Sequence, residues 1–417
     1  MSDTLEQNKS SKNVKEVDLK PLYARSVINS LSAGMVNPFM GAYAVKLGAS
    51  SSDMGWFQSS SNLSNNIMQV LWGRLSDRLK RRIPFIVLGG LIVSTVYVPM
   101  IFVTRAYQLI ILLAVQALLG SMSIPTWAAL IGDLVPSAKL GRANASINLW
   151  VSIGGLVATL MSGILMIIIG GTFQEMLFIP LTVATVFGII SALVMLRIKE
   201  KKNHEKLDLK RRIASDMFGL LKQAKKSPEF VKYCYVEGFF EFFMSMAWPL
   251  ISITQVTVLN ASVLQLALLS VVQTFFTIIF QGWAGRRTDV LGRKPLLVFF
   301  RFALITVPIA YALSPNIDVL IVISVFWGIA FALGQASMFA YLLDIAPEEY
   351  RGGFIAVFNL VIGVTTFFGS LVAGYLSNYL IALFGLVTGL QIVYLISTIG
   401  RTIGATLYLT LKETLKK

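Results

Sequence analysis

Apolar residues in this chain come in long blocks, each about 20 positions wide and separated by short polar stretches. Twelve such blocks lie near 22–46, 52–73, 83–104, 107–134, 143–169, 176–198, 229–257, 262–284, 295–313, 317–343, 353–381 and 386–411. At about 1.5 Å per helical residue, a block of that length crosses the ~30 Å hydrocarbon core of a bilayer. No water is present in that layer, so the backbone must satisfy its own N–H and C=O groups, and each block is predicted to be a helix. The pattern predicts an all-α membrane protein with twelve transmembrane helices.

The polar positions add a direction. With the N-terminus in the cytoplasm, the inner loops and inner helix ends hold nearly all Lys and Arg. The outer side holds only Lys46 and Arg105, and Arg401 falls inside the last block. This asymmetry is the positive-inside bias and predicts a cell-membrane protein with an even number of crossings and both termini cytoplasmic. The net charge of +15 is therefore topological, and no nucleic-acid partner is expected. Composition agrees, at 55% hydrophobic and 14% charged residues, where a soluble domain carries roughly a quarter charged. Residues 1–20 lack the apolar core of a signal peptide, so the first helix is expected to be an uncleaved anchor. Cys234 and His204 stand alone, which excludes an internal disulfide and a Cys/His metal site.

Landmarks repeat at nearly one offset. Asp77 and Asp289 are 212 positions apart, each four residues after a glycine, in GRLSD and GRRTD. Asp133, Pro136, Gly141 and Asn148 match Asp344, Pro347, Gly352 and Asn359 at an offset of 211. The repeat predicts two pseudo-symmetric six-helix bundles inserted in the same direction, a build used by secondary transporters. The expected divisions are a cytoplasmic tail (1–20), an N-terminal bundle (21–198), a basic linker (199–228), a C-terminal bundle (229–411) and a cytoplasmic tail (412–417). In the linker, Asp208 could cap a helix whose stripe is Leu209, Ile213, Met217, Leu220, Leu221 and Ala224. Such a basic amphipathic helix would lie on an anionic inner leaflet; the other reading is a solvated linker. His204 is expected to be solvated there.

The repeated turn carries a family resemblance. Gly285, Asp289, Gly292, Arg293 and Lys294 resemble the signature of the major facilitator superfamily: glycine, three residues, aspartate, two residues, glycine, two cations. Gly73, Asp77, Arg78, Arg81 and Arg82 are similar, with Lys80 in place of the second glycine. Asp344, Pro347, Arg351 and Gly352 also resemble that family, whereas Leu140 stands at the matching arginine of the first half. The resemblance spans essentially the whole chain and implies a transporter in which these loops latch the two halves on the cytoplasmic side. Physically, a glycine at a helix end permits close approach. An aspartate at that depth can then face the positive N-terminus of a helix in the other half. The helices available begin beside Gly141–Arg142 and Arg351–Gly352, after Asp133 and Asp344. Each link is worth about 1–3 kcal/mol, enough to bias two states without freezing either. The competing reading is a tight turn that only sets topology.

A transport path needs polar groups on one helix face. Helix 2 offers Gln58, Asn62, Asn65 and Gln69; helix 8 offers Gln273, Thr277 and Gln281; helix 11 offers Asn359, Thr366 and Ser370; helix 1 offers Asn29 and Asn37. Asn148 joins them as a repeat landmark, and Trp127, Trp150, Trp248 and Trp327 add flat apolar surface. Such stripes line a wet cavity or serve as interhelical hydrogen-bond glue. Glu237 and Glu241 share one face of helix 7, and Glu241 lies about 16 Å deep. There it either forms a structural pair with Arg401, the one cation read at comparable depth, or takes up a proton or a cationic substrate.

Absences narrow the cargo. No second buried cation is expected on the cavity helices, which disfavours phosphate, sulfate or nitrate. Gln116 stands where proton-coupled relatives often carry arginine, Ile153-Gly154-Gly155 replaces the Gly-Pro of drug antiporters, and the sugar-porter Pro-Glu-Ser-Pro-Arg run is missing. The expectation is a monomeric secondary transporter of a small organic solute, not an enzyme. No cofactor is expected, and a proton gradient is a candidate energy source. The alternatives are an uncoupled facilitator of a polar solute and a non-transporting membrane sensor of the same fold.

Overall fold

The computed structural model describes residues 20–415, apart from 80, 136, 199–218 and 220. The N-terminal tail through residue 19, His204 and the proposed linker helix before Leu221, apart from Gly219, lie outside the described residues. Among those described, the chain is helical with no strand. The rods are α1 (Lys20–Lys46), α2 (Ser51–Leu63, a π-helical turn Ser64–Met68, then Gln69–Leu79), α3 (Ile83–Met100), α4 (Ala106–Leu134), α5 (Ser137–Ile169) and α6 (Phe173–Arg197). They continue with α7 (Pro228–Val258), α8 (Val263–Leu291), α9 (Arg293–Leu313), α10 (Ile317–Ile345), α11 (Arg351–Phe384) and α12 (Leu386–Tyr408). Ten of these are long and apolar enough to cross a membrane. The other two are α1 and α2, where asparagine, serine and glutamine dilute the apolar surface.

The charged turn after α8 is shorter than expected. Gly285 and Asp289 are still helical, and the reversal is confined to Gly292, at φ 102°. That conformation suits only a residue without a Cβ. Likewise, α2 stays helical through Leu79, past the position of Asp77.

Prolines show how the rods are tied together. A proline lacks the N–H that would bond the carbonyl four residues earlier, so that carbonyl needs another donor. Pro38 leaves Gly34 O, which accepts from Thr159 Oγ1 of α5 at 3.0 Å. Pro249 leaves Ser245 O, which accepts from Ser370 Oγ of α11 at 3.2 Å. Pro308 leaves Leu304 O at a break in α9, and Arg401 of α12 donates to it at 2.6 Å. Each kink thus becomes an interhelical bond.

Helices α1–α6 and α7–α12 pack mainly within their own groups. The described bonds and close approaches between the groups lie from mid-depth to the end far from the termini. Along α2 and α11 they run from Ser52–Asn378 (2.9 Å) through Trp56–Tyr375 (3.0 Å) and Ser59–Phe367 O (2.8 Å) to Asn62–Ser370 (3.3 Å). Gly55 and Gly374 meet there so closely that a Cβ on Gly374 would lie 2.9 Å from Gly55 Cα. Gly41 against Ser252 and Gly163 against Ala267 bring α1 to α7 and α5 to α8 at the same end.

Candidate functional site

A cavity of about 650 Å³ opens among α1–α5. Asn29 and Asn37 of α1, Asn65 of α2, Trp127 of α4 and Asn148 of α5 line it, as the polar pattern predicts. Asn65 lies in the π-helical turn of α2, a distortion that often re-aims side chains at functional sites. Gln116 also lines the cavity, tethered by its Nε2 to Val93 O at 2.8 Å. Arg25 of α1 lines it as well, its guanidinium 4.1 Å from the centre of the Trp127 ring. This corrects the expectation that the cavity helices carry no further buried cation. Arg25 sits only five residues into α1, so it counted among the charges that set topology.

The remaining polar positions lie outside this cavity. Asn62 is buried and donates across the α2–α11 seam to Ser370 Oγ. Thr366 is buried and bonds Ile362 O within its own helix at 2.7 Å. Thr277 donates to Gly328 O of α10 at 3.0 Å. These three thus make interhelical or local bonds. Gln58, Gln69, Trp248, Gln273, Gln281 and Asn359 are also absent from its lining.

A second polar cluster is buried among α7, α9 and α12. Arg301 donates through NH1 to Glu241 at 2.9 Å and through NH2 to Glu237, and Tyr408 OH also donates to Glu237. The rings of Phe240, Phe300 and Tyr408 surround the guanidinium at 4.7, 5.1 and 5.2 Å. The partner of the glutamates is therefore Arg301, not Arg401. Arg401 spends its guanidinium on Leu304 O and on Met244 O at 2.8 Å. Arg301 interrupts the apolar run LLVFFRFALITV. A lone cation inside such a run is the signal that would have found it.

At the face bearing the termini, matched ion pairs stay within each half. Arg82 meets Asp133 at 3.5 Å and donates to Ser76 at 2.8 Å. Arg293 meets Asp344 at 3.3 Å and Asp289 at 2.9 Å, and donates to Thr288 O at 2.7 Å. Asp289, 73% exposed, thus pairs with its own half rather than facing a helix of the other. A Cβ on Gly141, Gly285 or Gly352 would meet nothing within 4 Å, whereas one on Gly73 would touch Pro125 at 3.2 Å. The cross-half latch is not made by Asp289 here, because the halves meet at the opposite end. Arg78 is half-buried and Arg81 exposed, and Arg351 pairs with Glu348 at 3.4 Å. The side chains of Asp77 and Arg142 lie outside the described residues.

One contact at this face has no counterpart in the motifs or the polar pattern. Glu413 accepts from the first two amides of α9, Arg293 N and Lys294 N, each at 3.0 Å, while Lys294 Nζ holds Leu409 O at 2.8 Å. Burial alone would raise the Glu413 carboxyl, but the amides of Leu415, Arg293, Lys294 and Thr414 hold it below the ordinary glutamate value. A depressed acid contributes stability in full above its unfolded pKa, about 4.3, and loses it as pH falls through the lower folded value. The C-terminal segment should therefore stay docked at neutral pH. Glu413→Gln should speed hydrogen exchange at the Arg293 and Lys294 amides at pH 7 while leaving the rest of the bundle unchanged. Equal exchange in both proteins would show that the carboxylate does not hold the segment.

The family model described as Major Facilitator Superfamily matches residues 23–247 and 234–413. An uncharacterized MFS-type transporter of Methanocaldococcus jannaschii is 24% identical over 379 residues, covering 89% of this chain and 92% of that protein. Among solved structures, a mutant of the nucleoside transporter NupG superposes with a TM-score of 0.74 at 14% identity, covering 94% of this chain and 98% of the other. A D-xylose-proton symporter superposes with a TM-score of 0.72 at 14% identity, over 95% and 98%. At such identities the structural likeness speaks for the fold alone.

Proposed function

The chain belongs to the Major Facilitator Superfamily and is a secondary transporter of small solutes, and from that premise we propose a mechanism. A small organic solute enters the cavity of α1–α5 from the face bearing the termini, which the cation asymmetry makes cytoplasmic. The observation that carries this reading is the position of the cross-half contacts. They close the α2–α11, α1–α7 and α5–α8 seams at the far end, beyond a polar cavity. The described state is then the inward-open one. Rocking the halves apart at the far end and together at the cytoplasmic end exposes the same cavity to the other side. In that second state Asp289 and Asp77 can reach the helices that begin near Gly141 and Gly352.

The energy source we propose is a proton carried by Glu241. Glu237 and Glu241 share one guanidinium, so a proton on Glu241 still leaves a complete Arg301–Glu237 pair. The Glu241 side chain is also the more accessible, at 10% against 1%. That both acids are already bound to Arg301 favours a second reading, a structural triad inside an uncoupled facilitator. Glu241→Gln separates the two in proteoliposomes with an imposed pH gradient. Coupling predicts that accumulation above equilibrium disappears while exchange survives and loses its pH dependence. Gradient-driven accumulation that persists in the variant removes Glu241 from the proton path. Wild-type protein that only equilibrates its solute would make it a facilitator.

A further inference from the structure

We propose that Arg25 is the anion-recognition group of the cavity and that the transported solute is a small organic carboxylate. This inference rests on the transport reading above and narrows its substrate class.

Among the described residues, three arginines are buried; Nε is unpartnered in all three, but two of them have both terminal guanidinium nitrogens engaged. Arg301 is bound by two carboxylates, and Arg401 by two carbonyls. Arg25 is only 8% exposed, yet its guanidinium makes no hydrogen bond or ion pair with any described residue. Its one contact of note is the face of Trp127, which restrains the plane of the group without neutralising its charge. The neighbouring Ser26 hydroxyl is buried and unpartnered too, and both residues line the cavity. Burying a charge and a hydroxyl without partners is costly, so sites of this kind are completed by something that enters them.

The chemistry of the missing partner follows from the donors. A guanidinium presents parallel N–H groups in a rigid fork that matches the two oxygens of a carboxylate. Among the described residues that line the cavity Arg25 is the only charged one, so one negative charge is compensated and a second is not. That favours a monoanionic carboxylate over a dianionic phosphate ester. The other polar groups, such as Asn29, Asn148 and Gln116, are neutral and suit hydroxyl or amide substituents on the same solute. A volume of about 650 Å³ accommodates a small metabolite.

The test is counterflow exchange in proteoliposomes with labelled pyruvate, lactate, gluconate and glutamate. Xylose and uridine serve as neutral probes, and inorganic phosphate as the competing anion. We expect exchange of at least one carboxylate and none of xylose or uridine. Arg25→Gln should weaken the apparent affinity for that carboxylate about ten- to a hundredfold, the loss expected for a charge-assisted contact. Arg25→Lys, which keeps the charge but not the fork, should fall between, and an unchanged melting curve for it separates recognition from folding. Exchange restricted to neutral probes or to phosphate overturns the assignment, as does carboxylate exchange that Arg25→Gln leaves unchanged. In each of these cases the transport reading stands. Failure of the folded protein to exchange any probe would instead count against that reading, and with it this one.

Discussion

Arg301→Met should be the most destabilising single substitution in the C-terminal half. It removes the shared donor of Glu237 and Glu241 and leaves two carboxylates facing each other in a site closed by Phe240, Phe300 and Tyr408. Arg401 cannot move in to replace it without abandoning Met244 O and Leu304 O, the latter left without its helical donor by Pro308. Breaking a buried pair from one side costs about 3–5 kcal/mol, mostly because the stranded charge stays buried. The expected result is a sharply lowered melting temperature in detergent and poor recovery. Adding Glu237→Gln and Glu241→Gln to the same chain should restore much of the loss, since neutral amides no longer repel. A single Arg301→Met protein that melts like the wild type would show that the cluster contributes little to the fold.

The twelve apolar blocks were readable because a bilayer imposes one length and one backbone solution on every crossing. The two-half organisation was readable from the repeats, and the ion pairs Arg82–Asp133 and Arg293–Asp344 now occupy matched positions in the two halves. What could not be read was which polar residue meets which. Asn62 and Asn65 are three residues apart on one helix, yet the first bonds α11 and the second lines the cavity. The π-helical turn that begins at Ser64 rotates the face between them, and helical periodicity assumes no such turn. Arg25 and Arg301 sit within two or three turns of a helix start, where a cation normally snorkels to the interface. Only the tertiary structure shows that both are enclosed. The described ion pairs of the proposed gate residues Arg82, Asp133, Asp289, Arg293 and Asp344 stay within their own halves, so the cross-half contacts of the proposed latch are not among those described.

The proposed motion makes a demand on the far end: the α2–α11 seam must both close tightly and reopen. Gly374 is where this can be tested most directly. A Cβ there would lie 2.8 Å from Ser51 O and 2.9 Å from Gly55 Cα, and these are backbone atoms that cannot rotate away. Gly374→Leu should therefore wedge the seam and favour the state in which the halves have separated at that end. Transport needs both states, so turnover should fall by more than about tenfold, because a bias of only ~1.4 kcal/mol already shifts the two populations tenfold. Accessibility should move in the matching direction. A cysteine at Asn37, in the cavity, with Cys234 replaced by alanine, should react faster with a membrane-impermeant maleimide added outside. The same cysteine should react more slowly with reagent reaching it from the cytoplasmic side. Gly132→Leu is the control, since a Cβ there meets nothing within 4 Å. If Gly374→Leu turns over normally and the Asn37 cysteine keeps its wild-type sidedness, the far-end seam is not the gate. The rocking of the two halves would then have to be sought around another contact.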